Sequence, residues 1–191
     1  MDENGGSRPT RRTVLMGVST VGATAIAGCL GGDEEVTVDP VTIDDDGACD
    51  QCGMIVADHP GPIGQIHFSD DEPEGGRPAR FCSSTCTYQY RFDALDADRD
   101  PVVTFLTDYS TVDQAVFEEG DDVLFSSHVE AGAFAPTVDL TVVAGSDVVG
   151  AMGPELIPFS VSDDVESFRD AYGGQALAAE SVDRETLDGL S

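Results

Sequence analysis

Beyond residue 48 the chain alternates apolar and polar residues in short runs, in two passes of a similar pattern. In the first pass Met54-Ile55-Val56 and Gly64-Gln65-Ile66-His67-Phe68 read as short strands on either side of the turn His59-Pro60-Gly61-Pro62, and a loop of Asp, Glu, Pro and Gly follows. Ala79-Arg80-Phe81 then leads into a helix from Cys82 to Leu95 and a β-rich run from Val102 to Leu106. In the second pass Leu140 to Val143 and Leu156 to Phe159 are strand-like. Asp163 opens a helix with Glu166 at the capping-box position, Val165, Phe168 and Tyr172 form its apolar face, and Gly173 ends it. Residues 175 to 191 read as a strand and a short helix, while Val123 to Phe134 fits neither period. The expected class is α+β, with two small related halves, residues 48–112 and 113–191.

The N-terminal segment is of a different kind. Thr10-Arg11-Arg12-Thr13-Val14-Leu15-Met16 pairs two arginines with apolar residues, and Gly17 to Gly28 is weakly apolar and uncharged. This is the pattern of a twin-arginine export signal, too short and too rich in Gly, Ala, Ser and Thr for a membrane span. Ile26-Ala27-Gly28-Cys29 matches a lipobox, so residues 1–28 are expected to be removed and Cys29 to carry the lipid that ties the protein to the outer face of the membrane. Residues 30–47 are acidic and without helical period, and with Cys29 they read as a tether that reaches roughly 60 Å when extended.

Charge narrows the partners. The net charge is −28 over 191 residues, and all nine basic residues are arginine. Such acidity argues against nucleic acid. The acids are scattered as on a solvated surface, and their mutual repulsion is relieved by molar salt, where the Debye length is roughly 3 Å, so a salt-loving source is expected.

The candidate chemistry lies in sulfur. With Cys29 assigned to lipid, Cys49 and Cys52 form a C-x-x-C beside Met54, and Cys82 and Cys86 form a C-x-x-x-C at a helix start, where the dipole favours thiolate. On a helical wheel both cysteines fall to one side of the apolar stripe Tyr88, Phe92 and Leu95. Four readings suit these pairs: structural disulfides, a structural Zn(II) site, a thiol-disulfide oxidoreductase, or a Cu(I) site that uses soft thiolate and thioether donors. The redox reading is weakened by the strand expected after Cys52, where that motif calls for a helix. His59, His67 and His128 are each more often ordinary residues than ligands. Signatures of serine nucleophiles and phosphate loops are absent.

Cys49-Asp50-Gln51-Cys52-Gly53-Met54 resembles the C-x-x-C-G-M opening of the NosL family, lipoprotein copper chaperones that serve nitrous oxide reductase. The resemblance extends to Gly64–Phe68, to Ala151-Met152-Gly153-Pro154-Glu155-Leu156-Ile157-Pro158-Phe159, and to Phe168-Arg169-Asp170-Ala171-Tyr172-Gly173-Gly174. It implies a monomeric α+β fold of two ββαβ-like halves, Cu(I) binding outside the membrane, and delivery to a copper enzyme rather than catalysis. Cys82 and Cys86 depart from the family pattern, and Arg80-Phe81-Cys82-Ser83-Ser84-Thr85-Cys86 instead resembles the F-C-S-x-x-C of YHS and TRASH metal-binding modules. The expected metal ligands are Cys49, Cys52, Met54, Cys82, Cys86 and Met152, for Cu(I) or alternatively Zn(II). Met152 enters because its turn, Ala151-Met152-Gly153-Pro154, offers a packing side chain few neighbours, and thioether sulfur suits Cu(I) but adds little to Zn(II).

Overall fold

Alternation over five residues, with Gly64, Gln65 and Ile66 all buried, makes Gly64–Phe68 the central strand (β1) of an antiparallel sheet. In the computed structural model the described residues are 38–70, 73, 75–113 and 116–190. Arg11, Arg12 and Cys29, and with them the export and lipidation readings, lie outside these. Gly64 is required by the helix above it, since a Cβ there would lie 2.3 Å from Thr87 Oγ1. β1 pairs with β2 (Ala79–Phe81) and β3 (Pro101–Thr107), and helix α1 (Ser84–Asp96) connects those two neighbours.

The next strands are β4 (Val116–Glu119), β5 (Asp122–Phe125), β6 (Phe134–Pro136), β7 (Thr141–Ala144), β8 (Val148–Gly150), β9 (Gly153–Pro154) and β10 (Ile157–Phe159). Helix α2 (Ser162–Tyr172), β11 (Gln175–Ala178) and helix α3 (Arg184–Asp188) complete the order. The described strands form sheets β2-β1-β3-β6, β4-β5-β8-β9 and β10-β7-β11. The fold is α+β, and the β2-β1-β3 order, with a helix between its outer strands, recurs as β10-β7-β11 around α2. Strand β6, from beyond residue 113, pairs with β3.

Several local expectations are corrected. Met54-Ile55-Val56 is not a strand: Ile55 makes a single bridge to Ala48, and Val56–Asp58 is a 3-10 turn, because the chain must reverse to bring Gly47 C=O onto Val56 N–H. α1 starts at Ser84, with Ser83 as its cap, so Cys82 stands just outside it. α2 starts at Ser162 after Val161 with no side-chain cap, so Asp163 and Asp164 act as first-turn acids favoured by the helix dipole rather than as part of a capping box. The ambiguous run divides into β5, a 3-10 turn and β6.

The tether reading also shortens. Val41 N–H donates to Gln65 Oε1 (3.0 Å), the Gln65 side-chain amide donates to Val41 C=O (2.5 Å), and Ile43 N–H donates to Val129 C=O (2.9 Å). Ile43 is buried in the same cluster as Ile66 and Phe81. An acidic run with scattered apolar residues looks solvated in sequence, but burying Ile43 and satisfying the otherwise buried Gln65 amide outweighs the ordering of a few residues.

Helix α1 is packed on two sides. Cys86 joins the cluster of Ile63, Ile66, Phe81 and Phe105, whereas Tyr88 joins Leu106, Leu140, Val142 and Leu156 and donates its hydroxyl to Ala179 C=O at 2.7 Å. The single stripe Tyr88, Phe92 and Leu95 is therefore only part of its buried surface, and Leu95 is exposed. Among the described residues no helix is long and apolar enough to cross a membrane.

Candidate metal centre

The C-x-x-C segment forms a tight turn because its backbone closes on itself: Cys49 N–H donates to Met54 C=O (2.7 Å) and Gly53 N–H donates to Cys49 C=O (2.8 Å). Gly53 sits at φ 81°, in the left-handed region where a side chain is strained. Asp50 fixes this turn against β2. Its carboxylate accepts both Arg77 guanidinium nitrogens (2.7 and 2.8 Å) and the Arg80 N–H (2.8 Å), while Asp50 N–H donates to Arg80 C=O. The same strand ends at Phe81, so Cys82 follows directly.

Cys86 is placed by the helix cap. Ser83 Oγ accepts the Cys86 N–H at 2.9 Å, satisfying one of the donors a helix start leaves open. Cys49, Cys52, Cys82 and Cys86 thus converge, with one Sγ from each lying within 4.8 Å of the others. Cys52 Sγ and Cys82 Sγ are 3.5 Å apart, and Cys82 and Cys86 are 3.9 Å apart. All four are free thiols, so the disulfide expectation is not met in this state. A tetrahedron of sulfurs at about 2.3 Å from a metal has edges of about 3.8 Å, so the cluster fits a thiophilic ion with little movement.

Electrostatics favour such an ion. The neighbouring Cys82 and Cys86 side chains hold the Cys49 thiol far below its ordinary range. The nearness of Cys49, with burial, pushes Cys82 well up, and Cys86 up to about 12. Crowded, buried sulfurs resist holding more than one negative charge between them, and a bound cation would offset that repulsion and draw thiolates to itself.

The methionines stand differently. Met54 is partly buried against the cluster that contains Cys49, Cys82 and Cys86. Ala151 packs on that cluster too, which brings the β8–β9 turn up to its edge, with Met152 itself 46% exposed. No histidine belongs to the metal-capable group among the described residues. His67, on β1, meets Phe105 edge-on, and burial lowers its pKa; His128 bonds Ser126 Oγ at 2.9 Å.

Sequence reasoning missed Glu155. It is 1% exposed, and its Oε2 accepts from Ser84 Oγ, Thr85 N–H and Thr85 Oγ1 at the start of α1, while Leu156 N–H donates to Ser84 Oγ. Oε1 is buried without a partner among the described residues, and burial pushes the carboxyl up to about 7. Glu155 thereby ties the chain just after Met152 to the helix that carries Cys86. The available signal was an acid directly before the apolar run Leu156 to Phe159.

Known proteins resemble this chain in sequence and in fold. The copper-binding lipoprotein NosL of Stutzerimonas stutzeri is 29% identical over 167 residues, covering 86% of this chain and 77% of that protein. The crystal structure of the copper chaperone NosL from Shewanella denitrificans superimposes with a TM-score of 0.58 at 25% identity, covering 75% of this chain and 94% of that one. The family model described as NosL matches residues 40–187, and the chain belongs to the NosL family.

Proposed function

We propose that this protein is a Cu(I) carrier on the outer face of the membrane. It is exported through Arg11 and Arg12, anchored through Cys29, and delivers copper to nitrous oxide reductase or a similar copper enzyme rather than catalysing a reaction. The observation that carries this reading is the four-thiol cluster, three of its members buried. Thiolates select Cu(I) over the hard ions of a salt-rich medium, and a buried site protects the ion from oxidation and exchange. The relatives bear the names copper-binding lipoprotein and copper chaperone, which supports the same cargo. The reading adds two thioethers to the candidate donors: Met54, which packs on the apolar cluster that contains Cys49, Cys82 and Cys86, and Met152, whose neighbour Ala151 packs on that cluster.

A structural Zn(II) centre is the second reading, favoured by four sulfurs lying within 4.8 Å of one another. The two separate on the thioethers. The double variant Met54→Leu, Met152→Leu is nearly volume-conserving and should cost under about 1.5 kcal/mol of stability. It is expected to weaken Cu(I) and leave Zn(II) unchanged in competition titrations against chelators of each ion. Zn(II) retained against excess Cu(I), together with unchanged Cu(I) affinity in the double variant, would return the site to structural zinc.

A further inference from the structure

The four sulfurs are not equivalent. Cys49, Cys82 and Cys86 are 3%, 0% and 1% exposed, whereas Cys52 is exposed. The difference follows from how the C-x-x-C turn is held. Asp50, clamped by Arg77 and by the Arg80 N–H, fixes the Cys49 side to β2. Past Asp50 the turn runs through exposed Cys52 to Gly53, where even an added Cβ would meet nothing within 4 Å. Three ligands therefore sit in the packed interior, and the fourth rides on an open turn.

This asymmetry sets the order in which bonds to a metal can break. Detaching Cys49, Cys82 or Cys86 leaves a thiolate or thiol buried without its partner, whereas a detached Cys52 is solvated by water. We propose that Cys52 is the gate ligand, the first to leave when the ion is handed on and the last to close when it is captured. The acceptor is a polypeptide segment presenting a thiolate or thioether, which reaches the ion on the Cys52 side. This rests on the Cu(I) reading above. In the step, the acceptor thiol gives its proton to water, its sulfur bonds copper, and the copper bond to Cys52 breaks. Cys52 leaves as a thiolate and takes up a proton from water, and copper stays Cu(I) throughout.

The full chain loaded with one equivalent of Cu(I) and mixed with excess bathocuproine disulfonate, whose coloured complex reports release, tests the assignment. In the parent the release rate is expected to level off with chelator concentration, because opening at Cys52 limits it. Cys52→Ser leaves the site permanently open, so release should rise linearly with chelator. At low chelator its slope should exceed the parent's by about tenfold or more if the parent's open state is populated at a tenth or less. Cys86→Ser, which loses a buried sulfur instead, should weaken binding yet keep the plateau. As a second measure, iodoacetamide should label Cys52 ahead of the other three in the loaded protein. Release from Cys52→Ser at the parent rate, a plateau that survives in it, or labelling of a buried cysteine first would overturn the gate. A parent that takes up no Cu(I) would instead sink the copper reading, and the same comparison with Zn(II) and a zinc-selective dye would still decide the gate.

Discussion

Two regions share a strand order and put it to opposite uses. In β2-β1-β3 the connecting helix α1 begins with Ser83, Ser84, Cys86 and Thr87 all buried, and Glu155 closes over its first turn. In β10-β7-β11 the connecting helix α2 begins with exposed Asp163 and a half-exposed Asp164, and buries Val165 and Phe168 among Phe125, Ile157 and Phe159. The first arrangement spends its helix start on polar and sulfur groups whose hydrogen bonds must all be met. The second leaves its helix start to water and draws its stability from stacked rings. One architecture thus gathers metal-capable thiols where polar groups are buried at the helix start, and packs aromatic rings where they are not.

The comparison breaks if the two regions prove coupled. Phe168→Ala removes a ring in contact with Phe125, Phe159 and Tyr172 and should cost about 3–5 kcal/mol of stability by chemical denaturation. Metal affinity measured on the remaining folded protein should not change. A parallel loss of affinity would show that the second region shapes the centre.

Glu155 is the designed exception, a residue of the second region serving the first. The folded protein holds its proton up to about pH 7, whereas an unfolded Glu releases it near 4.5. Folding therefore favours the protonated form, and this carboxyl's contribution falls as pH rises from about 4.5 to about 7. The loss relative to Glu155→Gln amounts to roughly 3 kcal/mol across that window. Denaturation curves of both proteins at several pH values check this, and parallel pH profiles would show that Glu155 stays ionised throughout.

Within the first region, Cys82→Ser replaces a buried soft donor by a hydroxyl. It should weaken Cu(I) by about a hundredfold, or about 2.7 kcal/mol, in chelator competition. Unchanged affinity would confine the ion to the C-x-x-C turn. The smallest effect is expected from Ser83→Ala, which removes the cap on Cys86 N–H and should cost about 1 kcal/mol of stability. If the cap also orients the Cys86 sulfur, a modest loss of metal affinity will accompany it, whereas the uncapped start of α2 has no side-chain bond to lose.

Much was legible without coordinates. Strand β1 is predicted over its observed span because its pattern is local, and α2 shows its Val165, Phe168 and Tyr172 face because burial on one side of a helix repeats with the helix period. The cysteine pairs and the family motifs mark the centre, since donor chemistry belongs to the residue type. Local pattern failed where a residue's role depends on a distant partner. Met54-Ile55-Val56 reads as a strand until the Gly47 carbonyl turns it. Ile43 reads as tether until Gln65 and Val129 hold its neighbourhood, and Tyr88 and Cys86 read as stripe and flank until packing on both sides of α1 buries them.

The sequence by itself determined which atoms could bind a soft metal, because sulfur's preference needs no neighbour. Only the tertiary structure decided that the four thiols meet, that three are sealed and Cys52 is open, and that Glu155 from beyond residue 150 caps the helix beside them. Burial and convergence are properties of contacts between segments far apart in the chain, seventy residues for Thr85 and Glu155 and ninety-one for Tyr88 and Ala179, and no local period encodes them.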